Sequence, residues 1–362
     1  MSEDTVRRGA RTAIPMLLVM LLSLLVPGCR ALEGEGAGDV PPPATETAAT
    51  KQAKPSGRRP GVVNIETEQS LNGTRAAGTG IVLDPSGFVL TNNHVIQGAT
   101  EIKGTDTDNR RAYKAQVVGY DRAGDIAVIR LTGASRLKAA VFASAADVAV
   151  GDTVTAVGNA GGKGGAPTVV TGNVTALEQA VTARDDTNGT SERLSGLIET
   201  SAPIKPGDSG GPLLNTAGKV IGINTAASAE LTMDGSQPRK DHRGYAIPSD
   251  RALEVAGQIR RGEASGTVHI GPTAMLGVKV RSNGGTRGAL VAEVVPGAPA
   301  EAAGVPVGAA IVSLGGRPVD SSGALTALVL AHRPGDVVHM EWTTPQGALT
   351  SATIRLAEGP PQ

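Results

Sequence analysis

The chain has 362 residues, enough for two folded modules with tails. Its 34 Lys and Arg are balanced by 34 Asp and Glu, which leaves no electrostatic case for a nucleic-acid partner. With 49 Gly, 23 Pro, 2% aromatic residues and one cysteine, Cys29, it reads as a turn-rich β chain with aliphatic cores, and intrachain disulfides are excluded.

In chain order, Arg7, Arg8 and Arg11 precede the apolar run Ala13 to Val26. The run falls short of the about 20 residues that a spanning helix needs. A basic flank, a short apolar stretch and small residues after it are the layout of an export signal. Val26-Pro27-Gly28-Cys29 resembles a bacterial lipobox, in which the cysteine is lipidated and becomes the mature N-terminus, although Pro27 is unusual there. The alternative for residues 1–29 is an uncleaved signal anchor. Either way the body is expected outside the cytoplasm, tethered to the bacterial cell membrane. Residues 30–60 carry almost no bulky apolar side chain and are rich in Pro, Gly, Ala and Thr, which predicts a disordered linker.

From Gly61 the texture changes to short β-rich runs punctuated by Gly, Asp and Asn turns. Examples are 80–83, 87–91, 115–119, 126–131, 153–158, 168–176, 196–200 and 220–224. In Gly207-Asp208-Ser209-Gly210-Gly211-Pro212 a serine stands between glycines, which allow backbone angles barred to other residues and let N–H groups converge on one point. Such a serine needs a base and an orienting acid. Thr91-Asn92-Asn93-His94-Val95 runs a strand into a histidine, and Asp125-Ile126-Ala127-Val128 sets an aspartate at the mouth of another. Alone, each is more often structural than catalytic. The order His94, Asp125, Ser209 matches the chymotrypsin-type triad. In that reading Ser209 attacks a peptide carbonyl, His94 moves the proton, Asp125 orients the imidazole, and the N–H groups of Gly207 and Ser209 receive the oxyanion.

These motifs, with Gly78-Thr79-Gly80 and Gly244-Tyr245-Ala246-Ile247-Pro248, resemble the HtrA/Deg family of disulfide-free serine proteases that carry PDZ domains. The resemblance implies a mainly β fold. A double six-stranded β-barrel, the chymotrypsin-like protease domain, would span 61–250, a connecting helix 251–265 and a small α+β PDZ domain 266–357. Helical spacing with Ser249 and Asp250 as caps and Gly262 as terminator supports the connector. The family alignment implies a primary pocket lined by Pro203, Ile204, Asn224, Thr225, Tyr245 and Ala246. With Pro203 six residues before the serine in place of an acid, that pocket should take small or medium aliphatic side chains. Asp208 departs from the family, which usually has asparagine there. Trypsin-like enzymes have aspartate, paired with a new N-terminus, for which Gly61-Val62-Val63 is a weak match.

The polar stretches Glu178–Ser195 and Ser228–Arg243 are too long for simple hairpins and read as loops, either regulatory or merely solvated. The PDZ resemblance places a peptide-carboxylate loop at Ala274–Gly277, naming Met275, Leu276, Gly277 and Val278 as peptide-binding. Helix 321–331 faces it, with Leu325 and Leu328 on the pocket side. The remaining histidines have no metal-ligand spacing, so neither metal nor cofactor is expected. The expected function is an HtrA-type serine endopeptidase that cleaves unfolded or damaged extracytoplasmic proteins and binds C-terminal peptides at the PDZ domain. The rivals are an envelope chaperone or PDZ scaffold of low protease activity, and a dedicated processing protease. A homotrimer follows from the family alone, since 62–75 lack the aromatic residues often found at that contact.

Overall fold

Residues 61–70, 73–185, 190–227, 243–282 and 287–362 are described in a computed structural model. The expected signal or lipobox at 1–29 with Cys29, the linker 30–60, and all of the second polar stretch except Arg243 lie outside the described residues. Among the described residues no helix is long and apolar enough to cross a membrane.

In the first sheet successive side chains face opposite sides, and several of its strands are buried on both. It comprises β1 (Val62–Gln69), β2 (Thr74–Val82), β3 (Phe88–Thr91), β4 (Glu101–Asp106), β5 (Ala112–Asp121) and β6 (Ile126–Leu131), with the short helix α1 (Asn93–Ile96) after β3. The strands run β5-β4-β1-β2-β3-β6, and β5 also pairs with β6, so the six return on themselves. Val63, Ile65, Val89, Ile129 and Leu131 fill the interior. The sequence 61–63 is no free start: Val62 and Val63 are buried in β1, paired to Ile81 and Gly80.

A second, closed six-stranded barrel follows. It is built from β7 (Thr153–Gly158), β8 (Thr168–Asp185), β9 (Thr190–Thr200), β10 (Pro212–Leu214), β11 (Val220–Ala227) and β12 (Gly244–Pro248). The double barrel expected from the sequence is thus present. The stretch 178–195, expected as a loop, is instead mostly a long β8–β9 hairpin whose Val181 and Leu194 are buried against each other's strand. Three register shifts between Val174 and Val181 break the apolar alternation and so hide the strand pattern.

Helix α2 (Ser249–Arg261) lies where the spacing predicts it and ends at Gly262 in the left-handed region, φ 74°. Its start differs from expectation. Pro248 is the N-cap without a side-chain bond, Ser249 Oγ donates to the Ala143 carbonyl, and Asp250 accepts from Ser144 Oγ and Ala145 N–H. The caps are drawn off to tie α2 to the segment joining the barrels. Ala252, Ala256 and Ile259 form its buried stripe.

Residues 268–270, expected within the second module, form β13 (Val268–Ile270), which pairs with β5 and extends the first sheet to seven strands. The second module proper contains β14 (Thr273–Met275), β15 (Val278–Ser282), β16 (Ala289–Val294), α3 (Pro299–Ala302), β17 (Ala310–Leu314), β18 (Arg317–Pro318), α4 (Ser322–Leu330), β19 (Val337–Thr343), β20 (Leu349–Arg355) and β21 (Ala357–Gly359). Its main sheet runs β15-β16-β17-β19-β20 with β18 on β17, while β14 and β21 make a separate ribbon. Met340, Trp342, Ile311 and Leu314 anchor its core. Ser321 caps α4 by accepting from Ala324 N–H.

Both modules belong to one compact unit, and their joint is specific. The Tyr120 hydroxyl lies 3.1 Å from Thr273 Oγ1 and accepts from Gln362 N–H at 3.3 Å. Gly98 N–H donates to the Pro361 carbonyl at 2.7 Å. Burial pushes the Tyr120 phenol up from its ordinary pKa. Tyr120→Phe should therefore lower unfolding free energy by about 0.5–1.5 kcal/mol, the net worth of a buried hydrogen bond, measured by urea denaturation.

Candidate active site

The histidine is delivered by β3. After Thr91, Asn92 donates from Nδ2 to the Asp125 carbonyl at 2.9 Å, and α1 then presents His94. Asp125 sits in the turn between β5 and β6 with φ 53°, a left-handed angle that aspartate tolerates better than most residues. Its carboxylate is aimed at the histidine. His94 N–H donates to Oδ1 at 3.0 Å, and Nδ1 lies 3.0 and 2.9 Å from Oδ1 and Oδ2. A carboxylate can only accept, so Nδ1 carries the ring proton and Nε2 is left as the basic nitrogen. Asp125 is buried, whereas 43% of the His94 side chain is exposed.

Thr225, expected on the pocket wall, directs its hydroxyl to Asp125 Oδ2 at 2.7 Å. It comes from β11 in the other barrel, so the carboxylate is gripped from both. Sequence reasoning misses this contact, since a threonine in a strand carries no signal of its own.

The serine loop is held by its carbonyls. Pro206 C=O accepts from Gly161 N–H at 2.8 Å, and Asp208 C=O accepts from Gly211 N–H at 3.0 Å. Gly207 C=O accepts from Thr79 Oγ1 at 2.7 Å and Asn159 N–H at 3.3 Å, and Ser209 C=O accepts from Thr79 N–H at 2.8 Å. Because the peptide plane is trans, engaging the carbonyls of Pro206 and Asp208 turns the N–H groups of Gly207 and Ser209 the opposite way. Among the described residues no protein acceptor takes either N–H. Gly207 has φ 97° and Gly210 φ 83°, and a Cβ on Gly210 would stand 2.1 Å from the Thr79 carbonyl oxygen. Only glycine fits there. The segment then crosses to β11, where Gly210 N–H donates to Asn224 C=O at 2.8 Å.

The other residues expected in the pocket lie mostly inside the wall. Ile204, Asn224, Tyr245 and Ala246 are buried, and Pro203 is exposed. Asn224 donates from Nδ2 to the carbonyls of Val157 and Pro212, each at 3.3 Å. One acid is near: Glu199, buried on β9. It is ion-paired with Arg243 and accepts from Thr175 Oγ1 at 2.6 Å and the Tyr245 hydroxyl at 3.4 Å. Its charge is neutralised where it stands.

In the second module Gly277 has φ 82°, and a Cβ there would lie 2.1 Å from that of Ala298. Ala274 and Met275 belong to β14, paired to β21, while Leu276 is buried in the core. A cleft of about 380 Å³ runs beside β15, the edge strand, and is lined by Leu276, Val278, Leu325 and Val329. Leu325 and Val329 are one helical turn apart, while Leu328, expected beside Leu325, does not line the cleft. His94 and Gln362 border the same cleft. Among the described residues no group of three or more His, Cys, Asp or Glu could hold a metal ion.

Comparison with known proteins matches this arrangement. The trypsin-like peptidase domain family fits residues 78–223 and the PDZ domain family residues 274–344. Serine protease PepD of Mycobacterium tuberculosis is 35% identical over 334 residues, covering 89% of this chain and 68% of PepD. The chain belongs to the HtrA family of serine proteases. Periplasmic serine endoprotease DegP of Escherichia coli is 38% identical over 263 residues, 70% of this chain and 51% of DegP. Among solved structures, HtrA-type protease AlgW with tripeptide has 29% identity and a TM-score of 0.46, covering 84% of this chain and 95% of that one. This HtrA-type chain is accordingly a serine endopeptidase with a PDZ domain.

Thr225→Val leaves a buried carboxylate one donor short. Hydrogen bonds to charged groups contribute about 1.5–3 kcal/mol, so kcat/KM of the HtrA protease on a peptide substrate should fall by about 10- to 100-fold.

Proposed function

We propose that the protein hydrolyses unfolded or damaged extracytoplasmic proteins after small or medium aliphatic residues, with His94, Asp125 and Ser209 as its triad. The observation that carries this is the hold on Asp125, whose carboxylate faces His94 Nδ1 while Thr225 donates to its Oδ2. In the reaction His94 Nε2 takes the proton from Ser209 as Oγ attacks the peptide carbonyl. The N–H groups of Gly207 and Ser209 meet the oxyanion, each worth about 10²–10³ in rate. Collapse of the tetrahedral intermediate breaks the C–N bond, and His94 returns the proton to the leaving amine. Water, activated the same way, then frees the acyl group from the serine. Ile204 and Ala246 among the pocket residues, with the Glu199 charge neutralised by Arg243, support the aliphatic preference.

The edge strand β15, the cleft beneath α4 and the sharp turn at Gly277 support strand addition by a peptide whose terminal carboxylate sits at Leu276–Gly277. We assign 61–250 to the protease domain, 251–265 to the connector and 266–357 to the PDZ domain, with β13 contributed back to the first barrel. An extracytoplasmic site of action accords with the name of the relative DegP, a periplasmic endoprotease, and tethering would rest on residues 1–29.

Ser209→Ala should reduce hydrolysis of an unfolded protein by about six orders of magnitude. Mass spectrometry of the wild-type products should find cleavage after Val, Ala or Ile. Equal hydrolysis by both proteins would overturn the nucleophile assignment, and cleavage after Lys or Arg would overturn the pocket assignment.

A further inference from the structure

Between β7 and β8 the chain passes through Asn159-Ala160-Gly161-Gly162-Lys163-Gly164-Gly165, in which glycines outnumber side chains. All four glycines sit in the left-handed region, with φ of 71°, 65°, 68° and 78°. Glycine gives up more backbone freedom on ordering than any other residue, so such a segment needs bracing from outside. Two bonds fold it back on Asn159. The Asn159 carbonyl accepts from Gly162 N–H and its Oδ1 accepts from Gly164 N–H, each at 2.8 Å.

The serine loop leans on this segment. Gly161 N–H is the donor to Pro206 C=O, and that bond fixes which way the Gly207 N–H of the same peptide points. The fit is close: a Cβ on Gly207 would stand 2.2 Å from the Asn159 carbonyl oxygen and 3.1 Å from the Gly161 nitrogen.

Both ends of the segment are held from the first barrel. Asn64 on β1 lies directly opposite Thr79 on β2, so the two side chains leave the sheet on the same face. Thr79 Oγ1 takes the Asn159 N–H at 2.9 Å, at the start. Asn64 Nδ2 donates to the Gly165 carbonyl at 2.9 Å, at the end. Asn64 is 2% exposed, and its neighbours on β1, Val62, Val63 and Ile65, are buried and apolar. Among the described residues its Oδ1 meets no hydrogen-bond donor. A half-satisfied buried amide is a poor choice for stability alone, because the unmet atom costs free energy. What the amide supplies is the tie to Gly165.

We propose that Asn64 is a positioning residue for the oxyanion hole, acting through 159–165 and Gly161 on the peptide that carries the Gly207 N–H. The inference rests on the assignment of that N–H to the oxyanion. Asn64 is buried in the first barrel, so it acts through the segment and not by touching substrate.

Asn64→Leu keeps the volume and removes both polar atoms, including the unmet one, so the thermal midpoint of the full chain should change little. On a short peptide kcat should fall about two- to tenfold with KM unchanged, the worth of one net hydrogen bond. Losing the oxyanion donor itself would cost more, about 10²–10³. Inhibition by a peptide boronic acid, whose tetrahedral adduct with Ser209 places an oxygen in the same hole, should weaken by the same factor as kcat. The midpoint of the pH–rate profile should stay where it is, since the His94–Asp125 pair is untouched. Amide hydrogen exchange followed by mass spectrometry should quicken across 159–165 and not in β1. Asn64→Asp keeps the shape and, when ionised, lacks the donor; it should reproduce the loss in kcat. Unchanged kcat in Asn64→Leu, a loss that falls on KM alone, or unchanged exchange in 159–165 would each overturn the proposal. Failure of both variants to fold would make Asn64 a residue of the core and overturn it too. Hydrolysis that survives Ser209→Ala would overturn the site assignment itself, and this inference with it.

Discussion

The serine loop and the strand that leads to His94 both depend on Thr79, a fully buried residue at the seam of the two barrels. Its N–H holds the Ser209 carbonyl, and its hydroxyl donates to Gly207 C=O while accepting Asn159 N–H at 2.9 Å. Its own carbonyl accepts from Thr91 Oγ1 at 2.7 Å, on the strand that leads to His94. One residue thus ties the Ser209 loop, the segment following β7 and the strand that leads to His94 to a common point. A chain with a single cysteine can form no intrachain disulfide, so ties of this kind take that place. Polar contacts in a water-excluded seam are stronger than on the surface, and their geometry leaves little slack.

The same logic of shared polar groups recurs twice more. Asp125 receives from His94 in one barrel and Thr225 in the other, so its carboxylate reports the relative placement of both. Buried Glu199, held by Thr175, Arg243 and Tyr245, makes a third such group, beside β12. Each is a case in which a buried charge is tolerated because its hydrogen-bonding capacity is used by surrounding donors. The catalytic geometry is therefore a property of the seam between barrels more than of either barrel alone.

What can be read from the sequence follows this division. The β-rich texture, the histidine, aspartate and serine motifs, and helix α2 are legible because each rests on local chemistry: turn punctuation, a glycine-flanked serine, a cap or a terminator; helix α4 is placed only by the PDZ resemblance. The hydroxyl contacts of Thr79 and Thr225 are not legible, although Thr79 lies in a motif of the resemblance and Thr225 is expected on the pocket wall, because a threonine in a β-rich chain signals a strand and its hydroxyl's partner lies far along the sequence. The Thr79–Gly207 and Thr225–Asp125 bonds span 128 and 100 residues. The β8–β9 hairpin reads as a loop because its bulges disguise the alternation, and β13 reads as part of the wrong module because strand pairing is decided by space and not by adjacency. Ser249 and Asp250 carry the composition of a helix cap but bond elsewhere, an instance of tertiary contacts overriding a local preference.

Most of the groups that hold the serine loop are peptide carbonyls, at Pro206, Gly207, Asp208, Ser209 and Asn224. Alanine scanning removes side chains and leaves every one of those atoms in place. A scan of this region would register a few threonines and miss the loop they secure. Backbone-directed chemistry, such as replacing an amide with an ester at Gly161 or Gly211, would reach the contacts that a conventional mutational map leaves blank.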